Sequence, residues 1–139
     1  MIRYFDASAF VKRYVRAEGS TQVNRWLREA RSATSRLTEA EISSALARRV
    51  REGRLTEHAR ETALALLRAD LNRIHVVELV PTVVAAVHDL LARHRLRAAD
   101  ALHLAAALQL RSRVGQTEFV VYDERLAKAA KLEKLRVLP

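Results

Sequence analysis

Leu96-Arg97-Ala98-Ala99-Asp100-Ala101-Leu102-His103-Leu104-Ala105-Ala106-Ala107-Leu108 is apolar on nearly every side from Ala98 onward, except for one carboxylate near its start. A helix that is apolar all round belongs in the middle of a protein. A carboxylate at the head of such a helix is costly unless something compensates it. The free N–H groups of the first helical turn could do so, and so could a bound metal ion. Two further acids, Asp6 and Asp123, stand in similar settings.

On either side of this segment, helical periodicity alternates with short β-type runs. Ile2–Phe5 reads as a first strand, with a helix from Ala7 to about Val15. Ser20 can cap a helix whose apolar face is Val23, Trp26, Leu27 and Ala30. Ala33–Arg36 reads as a short strand. Thr38-Glu39-Ala40-Glu41 matches a capping box, with Leu37 and Ile42 as its hydrophobic staple. That helix runs to about Glu52 and stops at Gly53. Thr56 can cap the next, which faces inward through Ala63, Leu66, Leu67, Leu71 and Ile74. His75–Val80 reads as a strand. Pro81 suits the first turn of a helix that buries Val84, Val87, Leu90 and Leu91. The central helix runs from about Asp100 to Leu110. Glu118–Tyr122 is a strand, Asp123 to about Leu132 a helix, and Arg136–Leu138 a final strand. This alternation predicts a helix-rich α/β fold with a mainly parallel central sheet of four to five strands. No repeat, low-complexity tract or linker interrupts it, so residues 1–139 are expected to form a single domain.

Composition narrows the function. The formal charge is +9, from 25 Lys+Arg against 16 Asp+Glu, which favours polyanionic partners, nucleic acid first. Solvated helix faces in an arginine-rich sequence are the plainer reading of the same charge. Trp26 is accompanied by only three Tyr and three Phe, so a broad base-stacking platform is not expected, and arginine contacts to the backbone would carry binding. The absence of cysteine excludes disulfides and thiolate metal sites. No run of about 18 apolar residues predicts a membrane span. The opening residues lack a signal-peptide layout, and a cytoplasmic protein is the simplest expectation.

In parallel sheets, ligands bind beyond the carboxyl ends of the strands. Asp6 and Asp123 each follow a strand, and Asp100 begins a central helix that starts at the same edge. Glu41 lies in the first turn of its expected helix and can reach that edge too. Four converging carboxylates repel one another, and a divalent cation is their natural neutraliser. All-oxygen ligands suit Mg²⁺ or Mn²⁺. Each acid also has a simpler explanation: the three aspartates stand where helix N-caps do, and the capping box accounts for Glu41. His103, one turn after Asp100, could pair with it on a metal or be a buried, hydrogen-bonded core histidine. Arg93, Arg95 and Arg97 lead directly into the site and are candidate RNA contacts. Arg48, Arg49, Arg51 and Arg54 read as a solvated helix end.

Tyr4-Phe5-Asp6-Ala7-Ser8-Ala9-Phe10-Val11-Lys12 resembles the opening of the PIN-domain ribonucleases, in particular the VapC-type toxins of toxin–antitoxin pairs. Ser35–Ile42, Leu96–Ala105 and Val120–Ala130 resemble the family's second, third and fourth motifs, in order and spacing, over essentially the whole chain. The resemblance implies a three-layer PIN-like fold. It implies that Asp6, Glu41, Asp100 and Asp123 bind the metal and that Ser8 is a supporting hydroxyl. The activity it implies is metal-dependent endoribonucleolytic hydrolysis of RNA, leaving a 5′-phosphate and a 3′-hydroxyl. The implied partners are RNA, a cognate antitoxin and a second copy of the chain. Phe10, Val11 and Trp26 could serve an interface or the core. Two rival readings remain at this point: an Asp-based phosphoryl-transfer domain of receiver or dehalogenase-like type, with Asp6 phosphorylated, and a non-catalytic basic RNA-binding module with incidental Asp caps. Ser8, where dehalogenase-like chemistry uses a second acid, counts against the first.

Overall fold

A computed structural model describes residues 1–139. The elements in chain order are β1 (Ile2–Phe5), α1 (Ala7–Phe10), a 3₁₀ turn (Val11–Arg13), α2 (Ser20–Glu29), β2 (Arg31–Ser35), α3 (Arg36–Arg51) and α4 (Glu57–Leu71). After them come β3 (His75–Val77), α5 (Pro81–Arg93), α6 (Ala98–Val114), β4 (Thr117–Val120), α7 (Glu124–Leu132) and β5 (Arg136–Leu138). The five strands form one sheet in the order β3-β2-β1-β4-β5, and every pairing is parallel. β1 lies at its centre. No helix is long and apolar enough to cross a membrane.

The period-two alternation of the strands divides the core between the two faces of the sheet. Ile2, Tyr4 and Phe119 join Val83, Leu90, Leu104, Leu110 and Leu126 on the α5–α6–α7 side. Phe5 and Val120 join Phe10, Val23, Trp26, Ile42, Leu46 and Leu67 on the α1–α4 side. Helices on both faces of a parallel sheet make the expected three-layer architecture. The all-round apolarity of α6 has its cause here: Ala101, His103, Leu104, Ala105, Ala106, Ala107 and Leu110 are all buried.

Several local expectations change. Gly19, not Ser20, occupies the N-cap of α2, with φ at +90°; the Ser20 hydroxyl turns back to accept from the Ala17 amide at 2.9 Å. The first helix shortens to α1 and the 3₁₀ turn. Ser35 caps α3, accepting from the Leu37 amide, so no capping box forms between Thr38 and Glu41. On α5, Leu90 is buried and Val87 packs against the core as expected, Val83 joins them, and Val84 and Leu91 are exposed, as is Leu66 on α4. β3 is confined to three residues at the sheet edge. Thr56, Pro81 and Gly53 behave as expected, capping α4, opening α5 and turning with φ at +69° after α3.

Candidate active site

Asp6 emerges from the carboxyl end of the central strand and is 3% exposed. Its carboxylate caps α1 by accepting from the Ala9 amide at 3.0 Å, and it accepts from the Ser8 hydroxyl at 2.7 and 2.9 Å. Burial disfavours the charged form and pushes its pKa up to about 6, against the pull of His103, Ser8 and the Ala9 amide. Ser8 has a second task. Its oxygen accepts from the Tyr122 amide at 3.1 Å, tying the corner that carries Asp6 to the one that carries Asp123.

Glu41 lies well inside α3, beyond its first turn. Capping therefore does not explain it. Its carboxylate accepts from His103 Nε2 at 2.6 Å, while Tyr4 Oη bonds Nδ1 of the same ring at 2.8 Å. An ionised carboxylate only accepts, so Nε2 is the donor. Tyr4 and His103 are 0% and 1% exposed, which makes this a rigid strand–helix–helix bridge. A second buried link aligns α3 with β1. Thr34 Oγ1 donates to the Phe5 carbonyl at 2.7 Å and meets Thr38 Oγ1 at 2.7 Å. Phe5 precedes Asp6, and Thr38 lies one turn before Glu41.

Asp100 is the third residue of α6, with Arg97 at the N-cap. It is half-buried, and the backbone N–H of Arg97 favours its charged form. Desolvation and then the charge of Asp123 raise its pKa. Asp123 caps α7, accepting from the Leu126 amide at 2.9 Å, and is exposed. Glu41 and Asp6 repel one another, as do Asp100 and Asp123, while the His103 ring acts on both Asp6 and Asp100. The four acids thus repel in two pairs, and the His103 imidazole bonds Glu41 and acts on Asp6 and Asp100.

Asp6, Glu41 and Asp123 are each held on one side by a protein donor, and no three His, Asp or Glu side chains stand as a ready coordination cluster. The fit to a metal rests on donor chemistry. The donors are all carboxylate oxygens, they repel in pairs, and one is buried at an energetic cost that a cation would remove. A hard divalent ion matches that set. His103 is engaged at both nitrogens, so the Asp100–His103 metal pair is set aside in favour of the hydrogen-bonded core histidine.

The arginines separate. Arg93 donates to Glu133 at 3.2 and 2.9 Å and is committed to that pair. Arg95 and Arg97 are exposed, and the charge of Arg97 is felt at Asp100. Phe10 and Trp26 are buried core residues, and Val11 packs against them. Sequence reading missed the Tyr4–His103–Glu41 bridge and the Thr34–Thr38 link. Their only sequence signal is polar residues at inward-facing positions.

The PIN domain family model matches residues 3–132. Ribonuclease VapC45 of Mycobacterium tuberculosis is 37% identical over 139 residues, covering 98% of this chain and 94% of the relative. Ribonuclease VapC35 of the same organism is 34% identical, covering 97% and 94%. Among solved structures, VapBC2 from Rickettsia felis, bound to a promoter DNA fragment, superposes with a TM-score of 0.70 at 14% identity, covering 99% of this chain and 98% of its own. VapC20 of M. tuberculosis, described as a sarcin–ricin-loop-cleaving toxin, gives 0.68 at 19% identity, covering 91% and 94%. These matches leave the receiver-like, dehalogenase-like and non-catalytic readings without support. The chain belongs to the PIN-domain family, among its VapC-type ribonucleases.

Proposed function

We propose that Asp6, Glu41, Asp100 and Asp123 hold a divalent cation, Mg²⁺ or Mn²⁺, with which this VapC-type endoribonuclease hydrolyses RNA as the toxin of a toxin–antitoxin pair. The observation that carries the proposal is Asp6, a carboxylate buried at the carboxyl end of the central strand with its pKa pushed up to about 6. Such a group is poorly suited to the fold and well suited to a cation. When bound, the ion supplies Lewis-acid stabilisation and a more acidic water. The chain's own contribution is orientation. Ser8 and the Ala9 amide fix Asp6, the Tyr4–His103 bridge fixes Glu41, and the first turns of α6 and α7 fix Asp100 and Asp123.

The proposal includes a cognate antitoxin, because structural neighbours include VapBC assemblies and a toxin–antitoxin complex from Klebsiella pneumoniae. It also includes a single domain spanning 1–139 and a homodimer. Burial of Phe10 and Trp26 leaves the dimer interface to other faces. Sedimentation at twice 15.7 kDa is the expected result. The decisive experiment compares growth arrest and RNA cleavage by wild type and Asp100→Asn, with Mg²⁺, Mn²⁺ or EDTA. Cleavage should require the metal and fail in the variant; equal activity in the variant, or activity surviving EDTA, refutes the assignment.

A further inference from the structure

The four acids leave unexplained a basic cleft beside them. It measures about 310 Å³ and runs between the loop joining α5 to α6 and the surface of α7, with Arg93, His94, Arg95, Arg125 and Lys128 along it. Its cations divide into two groups. Arg93 and His94 are taken by Glu133, the latter at 2.7 Å, and Arg111 bonds the Glu133 carbonyl at 3.0 Å. This is an internal brace between α5, α6 and the end of α7. Arg95, Arg125 and Lys128 are exposed and enter no ion pair.

Chain placement carries these three toward the acids. Arg125 is in the first turn of α7, two residues after its cap Asp123, and Lys128 is one turn further. At about 1.5 Å per residue, Lys128 lies about 7.5 Å along the helix from Asp123. Arg95 sits in the loop that leads through Arg97 to Asp100. Glu41 lines a separate cavity of about 350 Å³ with a single cation, Arg48. Three cations without an ion-pair partner thus stand along the cleft, against one in the cavity that Glu41 lines. Apart from the His94 ring, which Glu133 holds at 2.7 Å, no aromatic side chain lines the cleft.

We infer that this cleft holds the backbone phosphates of single-stranded RNA on one side of the scissile bond through Arg95, Arg125 and Lys128, while Arg93 and His94 only shape its wall. The inference deepens the ribonuclease reading and rests on it. It replaces a linear run of arginines by a set drawn from two elements. An acidic peptide fits less well, because a ligand continuing into the acids must present a phosphodiester there. With phosphates as the only contacts, the cleft is indifferent to sequence and its affinity depends on salt.

The test measures binding of a fluorescent single-stranded oligoribonucleotide to the full chain in EDTA across a salt series. Arg95→Gln, Arg125→Gln and Lys128→Gln are compared with Arg68→Gln and Arg113→Gln, which remove the same charge from remote exposed sites. Each cleft substitution should reduce the slope of log affinity against log salt by about 0.7, and the triple variant by about 2, for oligonucleotides of unrelated sequence alike. The remote substitutions should leave the slope as it is. Slopes that match between cleft and remote variants overturn the inference. So does a wild type that binds no RNA, or cleft variants that keep RNA binding and lose the antitoxin. Parallel cleavage assays separate the two readings: if the cleft slopes shift yet Asp100→Asn cuts like wild type, the acidic site fails and the cleft stands.

Discussion

Asp6 carries a stability cost opposite in sign to that of an ordinary ion-paired acid. Its pKa rises from 3.8 to about 6 on folding, so between these values the folded chain binds more protons than the unfolded one. Stability therefore falls as pH rises through that window and stays lower above it. Two units at 1.36 kcal/mol each bound the cost at about 3 kcal/mol. Asp6→Asn is expected to raise the melting temperature at pH 7.5 in EDTA, to change it little at pH 4, and to abolish cleavage. Thermal scans at the two pH values check this; equal shifts at both would show that ionisation of Asp6 is not the cause. At His103 the prediction concerns geometry. His103→Leu leaves Glu41 without its 2.6 Å donor and should weaken Mn²⁺ binding, measured by calorimetry, by about 10–100-fold, the usual cost of losing a ligand's supporting partner. His103→Gln, which keeps an amide N–H on that side, should retain more of it.

Strand–helix corners are where the elements transmit placement to the acids. Thr34 joins the end of β1 to the start of α3 through the Phe5 carbonyl and Thr38. Thr34→Val keeps the shape but leaves two buried polar groups without a partner, at about 1–3 kcal/mol each. Chemical denaturation should register that loss, and cleavage should fall beyond it because Glu41 loses its alignment with Asp6. Gly19 is the corresponding point for α2. Its φ is +90°, and a Cβ there would stand 2.8 Å from Tyr122 Oη. Tyr122 donates to Gln22 at 3.0 Å and lies under the Lys12 ammonium. Gly19→Ala should therefore lower the melting temperature and disturb Asp123 next door; an unchanged melting temperature would remove Gly19 from this role.

Across the whole molecule, a ligand that binds only the folded state stabilises it by mass action, about 2.7 kcal/mol at a hundredfold excess over Kd. Mn²⁺ should raise the melting temperature of wild type at pH 7.5, EDTA should reverse the gain, and Asp100→Asn should show none; a gain that persists in the variant would locate the ion elsewhere. The sequence by itself determined the α/β alternation, the buried course of α6, the strand-end position of Asp6, the cap at Thr56 and the helix start at Pro81. These depend on hydrophobic period and on residues a few positions apart, which act locally. Only the tertiary structure decided that Ser35 rather than Thr38 caps α3, since the buried Thr34 hydroxyl engages that of Thr38. It alone put Val83 on the inward face of α5 beside the expected Val87 and Leu90 and left Val84 and Leu91 exposed. The same holds for the capture of Arg93 by Glu133 and of Glu41 by His103. Those partners lie 40 and 62 residues apart, and no local pattern specifies a contact that exists only once the layers have packed.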